Sequence, residues 1–122
     1  MSDGNLRDRR ILLVEDEWFI ADAMQRGLEE AGARVMGPAA SIADAMTLIA
    51  EEAPDCAVLD VNLGGRPVFP LAETLRERGV PFLFATGYGA GDLPPDWRRT
   101  PRCEKPVTAA MLTRALRFDD AA

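Results

Sequence analysis

The chain has 122 residues, 48% of them apolar and 28% charged, which suits one domain with its own core and excludes a fully disordered chain. Lys and Arg total 14 against 20 Asp and Glu, for a formal net charge of -6, a balance that speaks against a duplex nucleic-acid binder, which needs a basic face. There is no histidine, so Ser-His and Cys-His catalytic pairs and His-ligated zinc are excluded, and a metal site must be built from oxygen ligands.

Met1 to Arg10 is polar, without an apolar signal core, and the longest apolar runs fall far short of a membrane span. A soluble, cytoplasmic protein is expected, with an ordered core over about residues 10–118. The first strand is Ile11-Leu12-Leu13-Val14, an unbroken apolar run of the kind a sheet covered on both faces produces. From Glu17 to Ala31 a helix is predicted, with Ile20, Ala23, Met24, Leu28 and Ala31 on its core face and Gly32 as its stop. Trp18, about 200° round the helix axis from Ile20, is expected to face solvent. Ala33 to Met36 follows as an edge strand. Ser41 caps a second helix to Ala53, whose stripe is Ile42, Ala45, Met46 and Ile49. Cys56 to Leu59 is the next buried strand, Leu71 to Arg78 a third helix ended by Gly79, and Val80 to Ala85 another strand. Tyr88 to Arg99 carries Gly89, Gly91, Pro94 and Pro95, so an irregular, mobile stretch is expected there instead of a full helix. Thr100 to Glu104 reads as the second edge strand and Thr108 to Arg117 as the last helix, with Ala109, Leu112, Ala115 and Leu116 inward. Cys56 and Cys103 read as buried free thiols.

Strands alternating with helices predict a doubly wound α/β fold, a five-stranded parallel sheet whose fourth helix is altered or missing. In such sheets ligands bind beyond the carboxyl ends of the strands. Glu15 and Asp16 follow the first strand and Asp60 ends the third, so three carboxylates should share one pocket. Like charges that close repel, and a hard divalent cation such as Mg²⁺ relieves them. Thr86 follows the fourth strand with a hydroxyl donor, and Lys105 follows the fifth with an ammonium. These groups suit chemistry on one phosphoryl group.

Glu15-Asp16, Asp60, Thr86 and Lys105-Pro106, at the ends of four strands, resemble the signature of receiver domains of two-component response regulators over Arg10 to Arg117. The resemblance implies a flavodoxin-like sheet of order 2-1-3-4-5, with residues 1–122 as a single receiver domain. It implies Asp60 as phosphoacceptor, with Asp16, Asp60 and the Asn62 carbonyl as direct Mg²⁺ ligands and Glu15 acting through water. Thr86 and Lys105 would contact phosphoryl oxygens, and Lys105-Pro106 would be cis. Phe84-Ala85-Thr86-Gly87 resembles the Phe-Ala-Thr-Gly-x-Tyr subgroup, with Tyr88 one place early. The usual switch aromatic is replaced by Arg102, which leaves Thr86 and Tyr88 as the candidate switch.

The function expected is a phosphoacceptor switch, supplied by a histidine kinase or histidine phosphotransfer protein and not a turnover enzyme. With no residue after Ala122, output by contact with a downstream protein, or action as a phosphate sink or relay, is expected, without nucleic acid or membrane. Trp18 is the candidate anchor for the phosphodonor, and the resemblance adds Pro106 and Val107 to that docking surface. Two alternatives stand beside this one. A Mg²⁺-dependent aspartyl-nucleophile phosphatase would place an acidic general acid two residues after Asp60, where this chain has Asn62. A pseudo-receiver that only binds partners would not need the acidic set.

Overall fold

The computed structural model describes residues 6–87 and 93–116. Its strands are β1 (Arg10–Val14), β2 (Arg34–Ala39), β3 (Cys56–Asp60), β4 (Asn62–Leu63), β5 (Arg66–Pro67), β6 (Phe82–Thr86) and β7 (Arg102–Glu104). The helices are α1 (Trp18–Glu30), α2 (Ile42–Glu51), α3 (Phe69–Glu77) and α4 (Ala109–Leu116). Five strands form a parallel sheet in the order β2-β1-β3-β6-β7, and β4 and β5 form a separate antiparallel hairpin. With the hairpin set aside, this is the expected order 2-1-3-4-5.

The apolar runs become the central strands because both of their faces are covered. Ile11 to Val14 and Cys56 to Leu59 are fully buried. Successive side chains point to opposite faces. Ile11, Leu13, Val58 and Leu83 therefore pack with Met24, Leu28 and Leu112 of α1 and α4. Leu12, Val14, Leu59 and Phe84 pack with Ala45, Ile49, Leu71 and Leu75 of α2 and α3 on the other side. Ser41 caps α2 as expected, its hydroxyl accepting the Asp44 N–H at 3.0 Å. Cys56 is buried and Cys103 is half-buried on the edge strand, both free.

Several boundaries and faces differ from those predicted. The buried residues of α1 are Ala21, Met24 and Leu28, and Ala23 is exposed. Ala21 stands three and seven residues before Met24 and Leu28 and shares their row, whereas Ala23 is about 100° or more round the axis from both. The third helix begins at Phe69, two residues early, because a proline in the first helical turn has no hydrogen bond to lose. β2 runs on past Met36 through Gly37-Pro38 and rejoins β1 after a register shift. Gly37 has φ +104, and a Cβ there would lie 2.6 Å from the Ala39 nitrogen and 2.8 Å from the Leu13 carbonyl.

Between β6 and β7, the described residues hold only a 3-10 turn at Pro95–Trp97. This agrees with the altered fourth helix. Within the described part of this stretch, two side chains are packed into the core. Leu93 and Trp97 are buried. The Trp97 ring stacks on Phe69 at 5.7 Å and meets Phe84 edge-on at 5.9 Å. The Arg76 guanidinium lies 3.9 Å over the Trp97 ring and donates to the Asp96 carbonyl at 3.3 Å. Trp97 thus ties the 3-10 turn to α3 and β6.

Two glycines give opposite expectations. In α1, a Cβ on Gly27 would touch nothing within 4 Å, so Gly27→Ala should raise stability by about 0.5–1 kcal/mol through helix propensity. Gly37→Ala should lower it by about 1–3 kcal/mol, since both the positive φ and the backbone contacts oppose a side chain. Urea unfolding of the two variants beside the parent chain checks both signs.

Candidate functional site

All five main strands run in one direction, so their carboxyl ends share one edge of the sheet. Glu15 and Asp16 leave β1 there, Asp60 is the last residue of β3, Thr86 the last of β6, and Lys105 follows β7. The Glu15 N–H donates to the Ala39 carbonyl at 2.9 Å, which extends the β1–β2 pairing by one residue and turns the Glu15 side chain inward. The Lys105 N–H donates to the Thr86 carbonyl at 2.8 Å and likewise carries β7 one step past its end.

The structure brings Glu15, Asp16, Asp60 and Lys105 together. Glu15 and Asp60 are 2% and 5% exposed, rare burial for carboxylates. The Lys105 Nζ lies 3.0 Å from Glu15 Oε1, 3.2 Å from Asp60 Oδ1 and 3.5 Å from Glu17 Oε1. One oxygen from each of Glu15, Asp16 and Asp60 falls within 4.8 Å of the other two. Glu15 Oε1 is buried and has its ion contact with Lys105 but no hydrogen bond. Three carboxylates clustered this closely, two of them buried and with one ammonium among them, are the donor set a hard divalent cation takes, so the residues fit Mg²⁺.

The electrostatics follow from this crowding. Burial, and then the charge of Glu15, push the Asp60 carboxyl up to about 7. The Asn62 N–H, donating to Asp60 Oδ1 at 3.2 Å, and the Lys105 ammonium pull it the other way without prevailing. Burial acts to lower Lys105, but its hydrogen bond to Glu15 and the charges of Asp60 and Glu15 hold it above the ordinary lysine value.

The other predicted residues are placed less uniformly. Thr86 stands at the same edge, tied to Lys105 through its backbone carbonyl. Asn62 opens the β4–β5 hairpin. Trp18 is 68% exposed at the start of α1, as expected. Lys105-Pro106 is cis, as the resemblance implied, and Pro106 is exposed. Val107 needs correction as a docking residue. It is 2% exposed and packs in the core with Leu112, so it anchors the loop and offers no side chain to a partner. Tyr88 lies outside the described residues.

Three features escaped the sequence reading. Glu17 is a third carboxylate on Lys105, and its position one residue past Asp16 was the available signal. Phe19, 70% exposed, stacks on Trp18 with ring centroids 3.9 Å apart, forming an aromatic pair beside the pocket. The hairpin was signalled by Gly64-Gly65, a dipeptide suited to a two-residue turn.

With this geometry in view, the comparisons with known proteins agree. Residues 11–94 match the family model of the response regulator receiver domain, and the chain belongs to that family. It is 35% identical over 82 residues to the transcriptional regulatory protein YvrH of Bacillus subtilis (strain 168), a match over 66% of this chain and 35% of that protein. The chain thus spans about a third of the length of this curated relative. Among solved structures it is similar to SdrG of Sphingomonas melonis Fr1, with 35% identity, a TM-score of 0.79, and coverage of 97% of this chain and 98% of the other. It is also similar to the response regulator PhyR of Brucella abortus, with 25% identity, a TM-score of 0.76, and coverage of 98% and 53%. Receiver domains are signalling domains of two-component systems that hold Mg²⁺ at an acidic pocket and interact with histidine kinases and downstream effectors. Among the described residues no helix is long and apolar enough to cross a membrane.

The raised Asp60 carboxyl has a sign that stability can reveal. In the unfolded chain an Asp releases its proton near 3.9, whereas the folded chain keeps it to about 7. Between those values the native state binds more protons, so stability is full below about pH 4 and falls as pH rises through about 7. In EDTA, Asp60→Asn should be more stable than the parent by about 1–3 kcal/mol at pH 8, and the gap should close toward pH 4. Urea unfolding across that range measures it.

Proposed function

We propose that this chain acts as one receiver domain that takes a phosphoryl group onto Asp60 from the phosphohistidine of a kinase or phosphotransfer protein. The carrying observation is the buried Asp60 carboxylate, 3.2 Å from the Lys105 ammonium and clustered with Glu15 and Asp16. An Asp60 oxygen attacks phosphorus in line, the phosphorus–nitrogen bond breaks with its electron pair returning to the donor ring, and the ring, its other nitrogen already protonated from solvent, leaves as neutral imidazole. Attack needs the ionised carboxylate, and Lys105 favours that form.

Asp16, Asp60 and the Asn62 carbonyl would hold Mg²⁺ directly, and Glu15 through water. When bound, the ion neutralises charge on the carboxylates and on the phosphoryl oxygens. Lys105 then trades a carboxylate for a phosphoryl oxygen, and the Thr86 hydroxyl donates to another, which links the phosphorylated pocket to the end of β6. Water later hydrolyses the acyl phosphate, so the domain times a signal without turning over a substrate. Asn62 supplies no acid for phosphatase turnover and its N–H is engaged with Asp60. The reading includes a cytoplasmic setting, a downstream protein as target, and Thr86 with Tyr88 as the switch. The resemblance to the Phe-Ala-Thr-Gly-x-Tyr receivers supports that pairing.

Incubation with acetyl phosphate and Mg²⁺ should add one phosphoryl group, read by intact mass. The gain should vanish in Asp60→Ala and in EDTA. A gain that persists in either would overturn the assignment.

The exposed, stacked Trp18–Phe19 pair, which follows Asp16 closely in the chain, and the exposed Pro106, next to Lys105, form the surface on which we place the phosphodonor protein. Trp18→Ala should slow transfer from the cognate kinase about tenfold or more while leaving acetyl-phosphate labelling unchanged. Equal effects on both donors would remove Trp18 from the docking surface.

A further inference from the structure

The β4–β5 hairpin reaches back to the acidic pocket. At its tip the Gly64 N–H donates to Asp16 Oδ2 at 2.9 Å, a bond between residues 48 apart in the chain. At its base the Asn62 N–H donates to Asp60 Oδ1 at 3.2 Å. One hairpin therefore supplies a backbone donor to two of the three clustered carboxylates.

The hairpin is well seated for so short an element. Leu63 is 4% exposed and packs in the core cluster that contains Phe84 and Val68. The Val68 N–H donates to the Val61 carbonyl at 2.9 Å and closes the base. Gly64 and Gly65, between the paired residues Leu63 and Arg66, have φ +54 and +88. Positive φ at both positions fits a type I′ turn, whose twist matches that of paired strands. This turn aims the Gly64 amide at Asp16.

We propose that Gly64 is a positioning residue for the metal ligand Asp16, and that the hairpin sets the Mg²⁺ affinity of the pocket. The inference rests on the reading of Asp16 as a Mg²⁺ ligand. An ionised carboxylate can accept several hydrogen bonds, so the bond at Oδ2 leaves acceptor capacity toward the pocket. Asp16 would otherwise have to be ordered by the ion itself, at a cost in side-chain freedom. The amide dipole also brings positive partial charge to a cluster whose members repel one another. Partners that orient metal ligands in this way commonly change affinity by about 10–100-fold when removed.

The test uses the full chain. In EDTA, amide exchange by NMR should show Gly64 protected in the parent, with its exchange about tenfold faster or more in Asp16→Ala and Leu63 unchanged. Gly64→Val keeps the N–H but is disfavoured at positive φ and should swing the tip away. Gly64→Asn tolerates that conformation and should restore it. Mg²⁺ titration should then give a Kd about tenfold weaker or more for Gly64→Val and near the parent for Gly64→Asn. Mg²⁺ binding by the parent with the same Kd in Gly64→Val, or Gly64 exchange indifferent to Asp16→Ala, overturns the positioning role alone. No Mg²⁺ binding by the parent overturns the ligand reading beneath it.

Discussion

The Lys105 ammonium is the counter-charge on which the pocket depends. It lies within 3.5 Å of carboxylate oxygens on Glu15, Glu17 and Asp60, and its side chain is 9% exposed. Burying two acids side by side opposes their ionisation. One cation offsets only part of that, which is why Asp60 stays raised to about 7 while Lys105 is pushed above its ordinary value. The site is therefore short of positive charge. Under the proposed function a divalent ion would supply what is missing, and an incoming phosphoryl group would give Lys105 a new partner.

The sheet exists, for this purpose, to bring these groups to one edge. Parallel strands make every carboxyl end face the same way, and β1, β3 and β7 each contribute charge there. The alternation of side chains along β3 sends Val58 to one layer and Leu59 to the other. Asp60 is thereby held at the end of a strand that cannot shift without disturbing both layers. Beside it, Phe84 of β6 joins Phe69, Phe82 and Trp97 in an aromatic cluster. Trp97 comes from the 3-10 turn at Pro95–Trp97, which among the described residues stands between β6 and β7 in place of a longer helix.

Much of this was legible in the residues, for physical reasons. Four-residue apolar runs are hard to reconcile with anything but covered strands, and charged residues directly after them fall at the sheet edge whatever the loops do. What escaped depends on packing or on backbone geometry. Ala23 follows Ile20 by three residues, but the packed row is the one set by Met24 and Leu28, on which Ala21 lies. Val107 next to Pro106 reads as a loop residue until Leu112 is seen against it. Trp97, set among Pro and Asp, reads as part of an irregular stretch, though the faces of Phe69 and Arg76 bury it. The hairpin is only two residues per strand, too short for any alternation to show, and its bond to Asp16 is a main-chain contact to which side-chain patterns are blind.

Lys105 is the only lysine of the chain, so lysine labelled with ¹³C at Cε and ¹⁵N at Nζ reports this one ammonium without ambiguity. Its NMR titration in EDTA is the most direct test of the central claim. The surrounding carboxylates should hold the native titration midpoint above the ordinary lysine value of about 10.4, and Asp60→Asn should lower it toward that value. A midpoint at or below the ordinary value, unmoved by Asp60→Asn, would contradict the claim.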